Sequence, residues 1–255
     1  MPKYSQVFLV DKGICGRIAS SLDAFSFDAL VEIGPGGGAL TEFLFPKYGS
    51  RMKAVEIDPS LVPALRSRFQ GLEVVNRDFL ETDPAELAGP GTAAFIGNLP
   101  YECSTAILDK VLAFGRLAAA SFMFQKEVAR RATARPGDAD YGVLALFTAA
   151  RASAELLLDV KAGSFRPVPA VDSSVLLFRP RPFFDSPERE AAFRALVKKA
   201  FAHRRKTLVN SLALCGADKT AAAAALERLG LKPTARAQEL SLEQFSALAA
   251  QPGVA

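Results

Sequence analysis

Two alternating periods constrain this chain more than any other feature. Through its first two thirds, the short apolar runs "ALVEIG", "MKAVEID", "LEVVNRD", "TAAFIGN" and "AASFMFQ" are separated by stretches of helical pattern such as "ALTEFLFPKYG" and "PSLVPALRSRF". Runs that are apolar along their length suit strands buried on both faces, and the intervening helices supply the crossovers that parallel strands require. Two further strand candidates, "AELLLDV" and "SSVLLFR", joined by the proline-rich "FRPVPAVD", read as a hairpin at the sheet edge. The expected fold class is therefore α/β: a mostly parallel, seven-stranded, Rossmann-like sheet with helices on both faces. After "RPRPFFDSPE", whose prolines mark a linker, the chain is alanine-rich and helical in period, with Gly216 and Gly230 as helix stops. The predicted domains are residues 1–180, the α/β unit, and residues 181–255, a small all-helical unit.

Composition removes several kinds of chemistry. The single histidine, His203, sits in the basic run "KKAFAHRRK", and the three cysteines, Cys15, Cys103 and Cys215, show no CxxC spacing. No metal site is expected from such a set, nor a Ser-His-Asp triad. No apolar run approaches the roughly 20 residues needed to span a bilayer. The amino-terminal "MPKYSQVFLVDKG" lacks the zones of a signal peptide, so a cytoplasmic protein with no membrane partner is expected. Charge is uneven: from Arg181 onward 12 Lys and Arg face 7 Asp and Glu, a net +5, while the preceding part carries 19 against 20, a net −1. An anionic partner would meet the last quarter of the chain.

The strand ends collect polar residues. "VEIGPGGGAL" sets Gly34, Gly36 and Gly38 between a strand and a helix, and Gly34-x-Gly36-x-x-Ala39 satisfies the dinucleotide fingerprint, a weak signal when alone. Glu56 closes the next strand, 22 residues after Gly34, where a carboxylate accepts ribose hydroxyls of either a nicotinamide dinucleotide or S-adenosylmethionine. Asp78 ends the third strand in "NRDFL", in reach of an adenine amine. The alternatives are a solvated strand end for Glu56 and a helix cap for Asp78. With Asn98 on the fourth strand, four such residues fall on the edge where open α/β sheets bind ligands.

The fourth strand runs into Asn98-Leu99-Pro100-Tyr101. An adenine N6 amine is a poor nucleophile because its lone pair is delocalised into the ring. Two acceptors aimed at its protons favour the geometry that frees that pair, and an aromatic face holds the base. Asn98 offers a side-chain carbonyl, Leu99 a main-chain carbonyl, Pro100 a fixed backbone and Tyr101 a stacking surface. An already activated sulfonium donor needs no strong base, which suits a chain with one histidine.

On these residues, together with "SQVFLVD", "VEIGPGGGALTEFL", "VEID", "NRDFL", "GNLPYECSTAIL", "FQKEVARRATARPGDADYGVL", "FRPVPAVDSSV" and "HRRKTLVNSL", the chain resembles the KsgA-type small-subunit (16S) rRNA adenine-N6 dimethyltransferases. These belong to a wider group that includes the erythromycin-resistance rRNA methyltransferases. The resemblance implies a class I methyltransferase fold and S-adenosylmethionine as cofactor. Gly34, Gly36, Glu56, Asp78 and Asn98 would contact the donor, with Val7 and Leu9 near its methionine end. Asn98, Leu99, Pro100 and Tyr101 would form the acceptor side of the target site, and Phe165 would stack on the opposite face of the flipped adenine; its alternative is a hairpin core residue. The implied substrate is a pair of adjacent adenosines near the 3′ end of 16S rRNA in the immature small subunit, and the implied state a monomer. Val7 stands where the family usually has Asn, so its side chain cannot bond the donor; losing one such bond costs about 1 kcal/mol. Glu102-Cys103 replaces a frequent Asn-Ile.

Lys198, Lys199, Arg204, Arg205 and Lys206 cluster on a predicted helix and its turn, and Arg130, Arg131 and Arg135 form a second basic stretch; both are candidates for phosphate contacts, or for solvated helix faces. Competing readings are a resistance-type 23S rRNA methyltransferase, a non-catalytic RNA-binding assembly factor, and a nicotinamide dehydrogenase that leaves the Asn-Leu-Pro-Tyr turn unexplained.

Overall fold

A computed structural model describes residues 7–254; Ser5 and Gln6 of the "SQVFLVD" motif lie outside the described residues. The strands, in chain order, are β1 (Phe8–Leu9), β2 (Ala29–Ile33), β3 (Met52–Val55), β4 (Glu73–Val75), β5 (Ala93–Asn98), β6 (Leu117–Gln125), β7 (Ala152–Val160), β8 (Phe165–Arg166) and β9 (Ser173–Pro180). Seven of them form one sheet in the order β4-β3-β2-β5-β6-β9-β7, and β1 pairs separately with β8. β2 to β6 are mutually parallel, and β9 runs antiparallel to β6. The two late strands do lie at one end of the sheet, with β7 outermost and β9 inserted beside β6.

The apolar runs form strands because both sheet faces are covered. Leu30, Ala54, Ala94 and Ile96 share one buried cluster with Ile18, Leu44 and Leu65 from the helices Lys12–Ser20, Thr41–Tyr48 and Val62–Arg68. Residues one position along, such as Phe95, point the other way. There Phe95 packs edge-on against Phe79 and Phe114, with ring centroids 6.1 and 5.7 Å apart. The order in which successive parallel strands are added reverses between β2 and β5: β3 and β4 follow on one side, β5 and β6 on the other. This switch point opens a crevice beyond the carboxyl ends of β2 and β5.

The chain divides into two compact units, Met1–Ala129 with Ser153–Pro180, and Arg130–Ala152 with Arg181–Ala255. This differs from a single cut at residue 180, because the excursion Arg130–Ala152 clusters with the C-terminal segment. The second unit is helical and has its own core, in which Tyr141 and Leu146 from the excursion join Phe193, Leu196, Leu212 and Phe245. Tyr141 also donates its hydroxyl to the Leu240 carbonyl at 2.9 Å, and the Gly137 amide donates to the Gln238 carbonyl at 2.8 Å. Two of its helices, Pro187–Phe201 and Leu242–Ala249, start at side-chain caps: Ser186 accepts from the Arg189 amide, and Ser241 with Gln244 forms a capping box. Counting the excursion, this unit holds 16 Lys and Arg against 9 Asp and Glu, a net +7, and the larger unit 15 against 18, a net −3. Among the described residues no helix is long and apolar enough to cross a membrane.

Candidate active site

The site grows from the close approach of two strands. β5 pairs with β2 through Ala93 to Ile96, and the next residue, Gly97, lies so near the Ile33 carbonyl that a Cβ there would collide with backbone. Glycine at 97 therefore lets Asn98 and the Gly34 turn share one crevice, a role that "IGNLPY" carries but that strand patterning does not reveal. Gly97→Ala is expected to force β2 and β5 apart and cost about 1–3 kcal/mol of stability. A denaturant titration with an unchanged midpoint would show that the strands absorb the methyl group.

A cavity of about 940 Å³ occupies the crevice, within the size range of nucleoside and cofactor sites. Its lining includes Val7, Leu9, Gly34, Gly36, Glu56 and the run Asn98 to Cys103. The glycine turn is shaped for close approach: Gly36 has φ +56°, and a Cβ there would stand 3.0 Å from the Phe8 ring. Its amide donates to Glu56 Oε2 at 3.0 Å, while the Asp58 amide donates to Oε1 at 2.9 Å. Glu56 is only 4 % exposed, and burial raises its carboxyl above the usual range despite these bonds. A carboxylate offers about four lone-pair positions, so both oxygens retain capacity for hydroxyl donors. Deeper still, Glu32 is 1 % exposed and accepts from the Thr41 hydroxyl at 2.7 Å. Burial pushes its carboxyl up to about 7, with Glu56 adding in the same direction.

On the target side, Asn98 donates its Nδ2 to the Val7 main-chain carbonyl at 3.1 Å, which leaves Oδ1 to accept. Leu99 is buried, Pro100 is exposed, and the Tyr101 hydroxyl pairs with Ser173 Oγ at 3.0 Å, tying the ring to the start of β9. The following helix Ser104–Leu112 begins with Ser104 Oγ donating to the Tyr101 carbonyl at 3.1 Å. Cys103 lines the cavity, and burial, then the nearby Asp78 charge, raises its thiol. A thiol held protonated is a poor nucleophile.

Two expected residues stand elsewhere. Asp78 is not on the cavity wall; its Oδ1 accepts from the Leu80 amide at 2.7 Å, which shapes the loop after β4. Phe165 is 0 % exposed, lies in the main core cluster and is absent from the wall. Phe165 pairs through its backbone with Leu9, and its ring lies in the core beside that pairing. At the cavity rim, Glu42 links Lys12 Nζ at 2.9 Å and Arg68 Nη2 at 2.6 Å, a bridge that no motif announced.

In the helical unit, Lys198 is exposed and Lys199 partly buried near the end of the helix Pro187–Phe201, and Arg205 and Lys206 are exposed in the turn beyond. Arg204 differs from its neighbours. Its Nη2 donates to the carbonyls of Ala139 and Tyr141 at 3.0 and 2.9 Å, holding the excursion's loop. Arg131 is exposed, Arg130 lies 3.5 Å from the Asp140 carboxylate, and the Arg135 amide donates to Asp138.

Strand order, the switch-point crevice and the polar turn at its lip define the class: an α/β fold of the class I methyltransferases. Solved structures agree. The 23S rRNA methyltransferase ErmE superposes with a TM-score of 0.71 at 31 % identity, covering 95 % of this chain and 98 % of that one. A dimethyladenosine transferase from Plasmodium falciparum gives 0.77 at 25 % identity, covering 94 % and 95 %. The family model for ribosomal RNA adenine dimethylase matches residues 1–251, and the chain belongs to that family. Among curated relatives, ribosomal RNA small subunit methyltransferase A from Geobacter metallireducens is 42 % identical over 259 residues, covering 95 % of this chain and 92 % of the relative. The protein of the same name from Myxococcus xanthus is 40 % identical, covering 96 % and 89 %.

Proposed function

We propose that this protein uses S-adenosylmethionine to place two methyl groups on N6 of each of two adjacent adenosines near the 3′ end of 16S rRNA, acting in the cytoplasm as a monomer on the immature small subunit. The observation that carries this reading is the presence, on one cavity, of the Asn98-Leu99-Pro100 turn and the Gly36–Glu56 pair. Curated relatives named for the small subunit support the choice of substrate.

The cavity fits the donor: a glycine turn on its wall, a buried carboxylate with spare acceptor capacity, and a volume of about 940 Å³. When bound, the donor supplies an electrophilic methyl group on a sulfonium sulfur. Glu56 would hold the ribose hydroxyls, Gly34 and Gly36 would let the donor approach the backbone, and Leu9 would pack near its methionine end. Asp78 would serve the donor's adenine amine with the carboxylate oxygen that Leu80 does not use. Asn98 Oδ1 and the Leu99 carbonyl would accept hydrogen bonds from the two N–H groups of the target amine, turning its lone pair out of the ring plane. Pro100 fixes the turn, and Tyr101, tethered through Ser173, presents the face against which the base rests. Target adenosines must leave their stack to reach this turn, at a cost of a few kcal/mol. Phosphate contacts from Lys198, Lys199, Arg205, Lys206, Arg130 and Arg131 would offset it.

Incubation with tritiated donor and either unmethylated small-subunit particles or large-subunit rRNA, followed by mapping of the label, tests the proposal. Label on two adjacent small-subunit adenosines is expected. Label confined to large-subunit rRNA would favour the reading suggested by the likeness to ErmE, and none in any assembly state would leave a binding factor. For the RNA surface, Arg205→Glu with Lys206→Glu should weaken binding and lower the slope of log K against log salt by about 0.7–0.9 for each phosphate no longer neutralised. Arg204→Glu should also destabilise the helical unit because it breaks two internal bonds. Equal melting temperatures for the two variants would remove that distinction.

A further inference from the structure

We propose that the main-chain carbonyl of Val7 is a positioning group for the target site, fixing the Asn98 carboxamide so that its oxygen faces the incoming amine. The inference rests on the reading of Asn98 as an amine acceptor. A carboxamide has two ends of nearly equal size, one accepting and one donating. Only the oxygen can accept a hydrogen bond from the target amine; an NH₂ group aimed at the same place would repel it.

Asn98 Nδ2 lies 3.1 Å from the Val7 carbonyl oxygen. Turning the amide over would bring two acceptor oxygens to that separation, so the Val7 carbonyl selects the productive orientation. Any residue at position 7 supplies a carbonyl, which explains how valine can stand there.

That carbonyl needs its own support. Phe8 pairs with Arg166 and Leu9 with Phe165, and the Val10 amide donates to the Ser164 carbonyl at 2.9 Å. The turn leading into β8 is pinned by Asp172, which accepts from the Ala162 amide at 3.0 Å and from Lys161 Nζ at 2.9 Å. Buried Leu9 and Phe165 fasten the ribbon to the core. The "FRPVP" stretch thus acts on chemistry indirectly, through β1, Val7 and then Asn98.

The chain has three asparagines, Asn76, Asn98 and Asn210, so asparagine-selective ¹⁵N labelling gives three carboxamide pairs, assignable with Asn98→Ser and Asn210→Ser. Asn76 Nδ2 donates to the Glu56 carbonyl at 2.7 Å and Asn210 is exposed, providing bonded and unbonded references. In the free wild-type protein, exchange of the Asn98 pair should be slower than that of Asn210 by about tenfold, the effect of one modest hydrogen bond. Asp172→Ala should bring Asn98 exchange toward that of Asn210, leave Asn76 unchanged, and lower single-turnover methyl transfer by about tenfold or more. Wild-type Asn98 exchanging as fast as Asn210 would overturn the proposal. So would Asp172→Ala leaving Asn98 exchange unaltered, or freeing it with no change in transfer rate. If the wild-type protein labels neither ribosomal RNA, the proposed function fails, while the exchange measurement still decides whether Val7 holds Asn98.

Discussion

Asn98→Ala should lower single-turnover methyl transfer by about 10²- to 10³-fold, the scale seen when one preorganised polar group at a reacting centre is removed. RNA affinity should hardly change, because the basic residues proposed to bind phosphate belong to the helical unit. The loss has two parts. The target amine loses an acceptor, and the Val7 carbonyl loses the Nδ2 donor that now sits 3.1 Å away. Leu99 still offers its main-chain carbonyl, so a residual rate above background is expected. Filter binding and single-turnover labelling on the same preparation separate the two effects. Near wild-type transfer would exclude Asn98 from the target site.

The second large effect concerns stability against pH. Glu32 has its carboxyl raised from 4.5 to about 7 by burial. A carboxyl whose folded pKa exceeds its unfolded value binds its proton more tightly when folded. Its contribution is full below about 4.5, declines as pH rises toward 7, and is gone above it. The span corresponds to about 3 kcal/mol. Glu32→Gln keeps an acceptor for the Thr41 hydroxyl and abolishes the titration. The unfolding free energy of wild type minus variant should therefore fall by about that amount between pH 4.5 and 7.5. A pH-independent difference would mean that Glu32 ionises without cost. Glu56 is shifted the same way, also by burial, so some decline should persist in the variant.

The sheet was legible because buried parallel strands write themselves as unbroken apolar runs, and each of the seven runs became a strand of the large sheet. Glu56 and the glycine turn could be read because strand ends and tight turns restrict residue type. What escaped was carried by main-chain atoms or by distant partners. The Val7 carbonyl is a property of backbone placement, invisible in a letter whose side chain merely lacks a hydrogen-bonding group. Phe165 and Arg204 carry the same ambiguity: a phenylalanine beside prolines and an arginine among arginines look alike whether they face a ligand or the protein's own core and loops. Family motifs carry residue identity forward, but not which side of a strand the ring occupies.

The excursion Arg130–Ala152 has a consequence for how the gene can be cut. A stop codon after residue 180 would leave the larger fragment with a segment whose apolar residues, Tyr141 and Leu146 among them, belong to the core of the discarded part. The complementary fragment from Arg181 would lack those same residues and the loop that Arg204 grips. Neither half is a transplantable module. To move the basic unit onto another protein, one would splice the excursion directly to the C-terminal segment, joining residue 152 to residue 181 and leaving out 153–180.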